Sequence, residues 1–125
     1  MSQGYVGPQG VVPYSVVIGR VLQQRRNQLG LQQDDLAAAL GITQSAYSRL
    51  ESGDTVLSLM QLRIAAAALY TSAGAILAAA DQYADYLERL GALITNERKD
   101  NSAAVLVGLG LLAAAVVAIG SAQKA

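Results

Sequence analysis

A chain of 125 residues with nine basic and nine acidic side chains has room for one small domain and an appendage, and carries no net charge. It has no cysteine and no histidine, which excludes disulfides, thiolate metal sites and histidine-dependent catalysis. With no Phe or Trp either, a core has to come from Leu, Ile, Val, Ala and Tyr, which the 53% apolar share allows.

Residues 1–14 hold three Gly, two Pro and two Gln and show no periodicity. They read as a mobile N-terminal arm. There is no basic start followed by a long apolar run, so no secretory signal is expected and the bulk of the chain is expected in the cytoplasm. From Ser15 the pattern turns helical, with Val17, Ile18, Val21, Leu22 and Leu29 at three- and four-residue steps until Gly30. A second helix is predicted over Gln33 to Leu40, with Leu36, Ala37 and Leu40 facing inward, and Gly41 breaks it. Thr43 is an N-cap for a third helix over Gln44 to Ser52, which Gly53 ends. Ser58 with Gln61 forms a capping box for a fourth helix reaching about Leu69, which completes a domain over residues 15–71.

A fifth helix starts near Ser72 and is predicted to run through 72–96. Its apolar positions, Ile76, Ala80, Tyr83, Leu87, Leu90 and Ile94, follow heptad steps. Ile76 packs on the domain. Beyond Ala80 no domain is left to cover the stripe, so Tyr83, Leu87, Leu90 and Ile94 are expected to bring copies together as a dimer or larger oligomer. A polar linker over 97–102 follows, then the stretch AAVLVGLGLLAAAVVAIG, residues 103–120, without one charge. As a helix it would extend about 27 Å, the hydrocarbon thickness of a bilayer. A soluble oligomer burying these residues is the competing reading, but a soluble helix needs a polar face and this stretch has none. A single transmembrane helix is therefore expected, with residues 121–125 as a short tail beyond it. Arg98 and Lys99 before the stretch, against Lys124 alone after it, favour a cytoplasmic N-terminal domain at the inner membrane of a bacterium.

In the stretch QDDLAAALGITQSAYSRLESG, residues 33–53, Leu36, Leu40, Ile42, Tyr47 and Leu50 can close a small core between two crossed helices. Gly41 permits the left-handed turn between them. Gln44, Ser45, Ser48 and Arg49 then remain on the outer face of the third helix, just after Thr43. Gln can bond adenine and Arg guanine in a bidentate manner in the major groove, and such a helix enters by its N-terminal end.

This stretch resembles the helix-turn-helix of the phage-repressor and Cro (XRE) family, a likeness extending from about Ile18 to Leu77. The resemblance implies an all-α, five-helix repressor-type fold and double-stranded DNA as partner. It implies that Gln33 contacts phosphate and buttresses the third helix. It implies that Gln44 and Ser45 touch base edges, and that Arg49 reads a base one turn on. Arg26 and Glu51 match an internal ion pair and belong to stability. Tyr47 stands where the family more often has Ile or Val, and is expected in the core with its hydroxyl at the edge. The loop GDTVLSL lacks the Lys or Arg often found there, and residues 15–70 carry only five Arg against four acidic residues. One copy should therefore bind weakly, because phosphate contacts supply much of the affinity. The expectation is a membrane-anchored DNA-binding protein, a transcription regulator or a DNA–membrane tether, with no cofactor, no metal and no enzymatic activity. The alternative is a structural adaptor whose helix-turn-helix binds a cytoskeletal or other protein partner, which an aromatic outer face would support.

Overall fold

The computed structural model describes residues 10–96. They form β1 (Val11–Pro13), α1 (Tyr14–Gln28), α2 (Gln33–Leu40), α3 (Gln44–Ser52), α4 (Leu59–Ala68), α5 (Ala73–Arg89) and β2 (Leu93–Thr95). The five helices follow local signals. Thr43 Oγ1 accepts from the Ala46 amide at 3.1 Å, and Ser72 Oγ from the Ala75 amide at 3.1 Å. Ser58 and Gln61 cap each other reciprocally, at 3.0 and 2.9 Å. Gly41 and Gly53 close α2 and α3 with φ of 69° and 83°, values that cost an L side chain strain.

The expectation of an all-α fold is corrected by β1 and β2. They pair in parallel, with Val11 opposite Leu93, Val12 opposite Ile94 and Pro13 opposite Thr95. The amide of Leu93 also donates to the Gly10 carbonyl at 3.0 Å. Residues 11–14 therefore leave the expected arm: three of them are strand, and Tyr14 opens α1. The β-branched side chains of Val11, Val12, Ile94 and Thr95 suit extended backbone, and each segment supplies the other's hydrogen bonds.

The fifth helix is shorter than predicted. It ends at Arg89, and Gly91 at φ 103° turns the chain into β2. Ala92 then donates back to the Leu87 carbonyl at 3.0 Å. The heptad stripe is thus interrupted, and Ile94 sits half-buried on a strand. Of the other three positions, Leu87 is buried, Tyr83 is half-buried against the core, and Leu90 is exposed just past the helix end. The reason lies in α1. Its 15 residues extend about 22 Å, enough to cover α5 beyond Ala80, so Ala80, Ala84 and Leu87 face their own domain. The Tyr14 hydroxyl donates to Asp81 Oδ1 at 2.6 Å and ties the start of α1 to the middle of α5.

The core lies where α1 packs on both α3 and α5, and α2 packs on α3 and α4. Val17, Leu22, Leu36, Tyr47 and Leu69 are its largest fully buried apolar side chains. Among the described residues no single helix is long and apolar enough to cross a membrane. The expected linker 97–102, span 103–120 and tail 121–125, like residues 1–9 of the expected arm, lie outside the described residues.

Candidate nucleic-acid interface

The turn between α2 and α3 is fixed from inside. Leu36 and Tyr47 are fully buried, and Leu50 and Ala37 nearly so. Ile42 donates its amide to the Ala37 carbonyl at 3.0 Å, which seals the end of α2. With Tyr47 and Leu50 turned inward, α3 presents Gln44, Ser45 and Arg49 outward, and Ser48 is partly covered.

A chain of hydrogen bonds leads from the core to this face. Arg26 grips Glu51 through two bonds, Nε to Oε2 at 2.6 Å and a terminal nitrogen to Oε1 at 3.0 Å. Its other terminal nitrogen donates to the Leu31 carbonyl at 3.0 Å. Gln33 Nε2 donates to Glu51 Oε1 at 3.0 Å, and Gln44 Nε2 donates to Gln33 Oε1 at 2.6 Å. The first outward side chain of α3 is thus positioned, through α2, on a buried ion pair.

Arg26 and Glu51 are 8% and 6% exposed, so the charges hold each other in a medium that would otherwise penalise them. Burial works against the Glu51 carboxylate, yet the bonds from Arg26 and Gln33 outweigh it and bring its pKa below the ordinary value. The same bond to Glu51 holds the Arg26 guanidinium further up, against the pull of burial. The stability role given to this pair agrees with its geometry.

The other predicted residues take less uniform positions. Thr43 is exposed, but its Oγ1 caps α3 and shares a 3.3 Å hydrogen bond with Ser45 Oγ. Ser45 therefore belongs to the cap region as well as to the outer face. Gln33 bridges Glu51 on one side and Gln44 on the other. Asp35 accepts from the Gln32 amide at 2.8 Å and closes the start of α2. The direct bond between Gln33 and Gln44 went unforeseen. Two Gln opening consecutive helices were the available signal. Beyond α3 the flank is apolar: Val56, Leu59 and Met60 are 60%, 79% and 67% exposed.

Tyr47 departs from its expected pose. The ring is fully buried, and the hydroxyl lies inside too, close enough to the Arg26–Glu51 pair to feel both charges but without a well-aligned hydrogen bond to either. Burial pushes its pKa well up, so the hydroxyl stays neutral. A buried hydroxyl without a well-aligned partner costs stability, whereas the ring alone would not. Tyr47→Phe is therefore expected to match or exceed the parent by up to about 1 kcal/mol in a urea titration. A loss above that range would show that the hydroxyl is bonded in solution.

A helix-turn-helix family model matches residues 22–74. No curated protein sequence matches the chain. Among solved structures the chain is similar to the clp gene regulator ClgR from Corynebacterium glutamicum. In one structure the identity is 26%, covering 56% of this chain and 91% of that one, with a TM-score of 0.53. In another it is 24%, covering 61% and 81%, with a TM-score of 0.59. The restriction-modification controller protein C.AhdI from Aeromonas hydrophila is 29% identical, covering 50% of this chain and 94% of that one, with a TM-score of 0.47.

Proposed function

Since residues 22–74 carry a helix-turn-helix domain, we propose that the chain is a non-enzymatic, DNA-binding transcription regulator that reads the major groove with α3. The observation that carries this reading is the outward set Gln44, Ser45 and Arg49, with Gln44 held in place through Gln33. Held by one Nε2 hydrogen, Gln44 keeps its carbonyl oxygen and a second Nε2 hydrogen for an adenine edge. The structurally similar ClgR is described as a gene regulator, which supports the same output here. The rival adaptor reading needed an aromatic outer face, but the one aromatic residue of α3, Tyr47, is buried.

The test is a binding titration at fixed salt on selected and scrambled duplexes. Gln44→Ala costs about 1–3 kcal/mol on the selected site and little on the scrambled one. Arg49→Ala weakens the selected site as well. Parent-like binding by both variants would remove the reading and bring a protein partner forward.

Two further features belong to the same proposal. The domain is only weakly basic, so paired copies supply what one lacks in phosphate contacts. The uncharged stretch from Ala103 to Gly120 holds the chain at the inner face of a bacterial membrane, where it acts as regulator or as tether. The full chain is then expected in the membrane fraction after carbonate washing, and a chain ending at residue 102 in the soluble fraction. Recovery of the full chain without detergent would remove the anchor from the proposal.

A further inference from the structure

Behind the end of α3 the packing does not close. Ser15 Oγ donates to the Gly53 carbonyl at 3.1 Å and pins the start of the loop that leads to α4. Next to this bond lies a cavity of about 220 Å³, walled by Tyr14, Ile18, Leu50, Val56 and Leu57. The cavity is half open to solvent, with the exposed Val56 at its rim and the buried Leu50 behind it. An apolar cavity of about 150 Å³ is known to hold benzene. This one therefore has room for one or two fused rings, and none for a helix about 10 Å across.

The lining also restricts the chemistry. Among the described residues no charged side chain borders the cavity, so an ion entering it would lose its water without compensation. Among the described residues, Thr55 and Asn96 offer side-chain donors and acceptors to an occupant, while the hydroxyls of Tyr14 and Ser15, whose protons are donated elsewhere, can still accept. We propose that this cavity is a binding site for a small neutral aromatic molecule with one hydrogen-bonding group, of the size of phenol or indole. Its walls come from α1, from the last turn of α3 and from the loop over 54–58, so an occupant ties the loop to the helix bearing Gln44 and Arg49. The effect on DNA rests on the function proposed above; the binding itself does not.

The experiment titrates the full chain, labelled at Ile, Leu and Val methyl groups, with indole, and with benzoate as a charged control. Saturable shifts are expected at Ile18, Leu50, Val56 and Leu57, with a rise in unfolding temperature and no response to benzoate. Val56 is 60% exposed, so Val56→Trp should leave the fold intact while laying a ring over the mouth. That variant is expected to bind indole at least about tenfold more weakly. Absent saturation, shifts scattered over other methyl groups, or parent-like binding by Val56→Trp would each overturn the proposal. A DNA titration with and without indole reads the coupling separately: methyl shifts without DNA binding would sink the regulatory reading and leave the site standing.

Discussion

Glu51→Ala is expected to lower the stability of the domain by about 3–5 kcal/mol, a large part of what a domain of this size possesses. The loss comes less from the bond broken than from the charge left behind. Arg26 would stay buried with only the Leu31 carbonyl to satisfy it. Arg26→Met combined with Glu51→Leu removes both charges and should cost much less. Guanidinium titrations of the full chain followed by circular dichroism compare the three. A single variant within about 1 kcal/mol of the parent would show that the pair is not structural. The same carboxylate makes stability depend on pH. Its folded pKa lies below the ordinary 4.5. The stabilisation it contributes is therefore complete above that value and is lost as pH falls through the lower, folded one. Between pH 7 and pH 3 the parent should lose more stability than Glu51→Gln, in which nothing titrates at this position.

Gly19→Ala is the second large effect, and its sign runs against local propensity. In the interior of α1, alanine should gain about 1 kcal/mol over glycine. At Gly19, however, a Cβ would lie 2.1 Å from the Glu51 carbonyl oxygen and 2.9 Å from that of Leu50. The obstacle is backbone, so α1 and α3 would have to separate. A net destabilisation of about 1–3 kcal/mol or more is expected, read from the same titrations. DNA affinity should also fall below what unfolding alone explains, because α3 is the element displaced. A more stable Gly19→Ala would mean that the two helices do not approach this closely.

These residues also mark how much of the molecule its sequence discloses. The α2–α3 unit was legible nearly to the residue, because its signals are local: a Thr three positions before an amide, a Gly where the chain must turn left, apolar side chains one helical turn apart. The Arg26–Glu51 pair came through family likeness, since nothing in a separation of 25 residues points to contact. Nothing local marks Gly19, because its constraint belongs to the carbonyls of another helix. Leu87 was placed on an outward seam for the same kind of reason. A heptad stripe looks alike whether it meets a second copy or the flank of α1. The strands were illegible, for three residues with β-branched side chains carry little signal without the partner that gives them their hydrogen bonds.

That pairing has a consequence for the order in which the domain assembles. Val11 and Leu93 stand about 80 residues apart, so their ladder closes nearly the whole folded unit. Joining ends so distant costs on the order of 4 kcal/mol in chain entropy, and three residue pairs return little against it. The helices have no such debt, because α2, α3 and their turn are neighbours in the chain. The ladder therefore zips last, after docking of α1 on α5 has brought its two halves within reach. By the same reasoning it parts first, so amide exchange at Leu93 should outrun that of α3 while the helices stay folded. The domain thus has a fast-opening clasp at its seam, kinetically separate from α3.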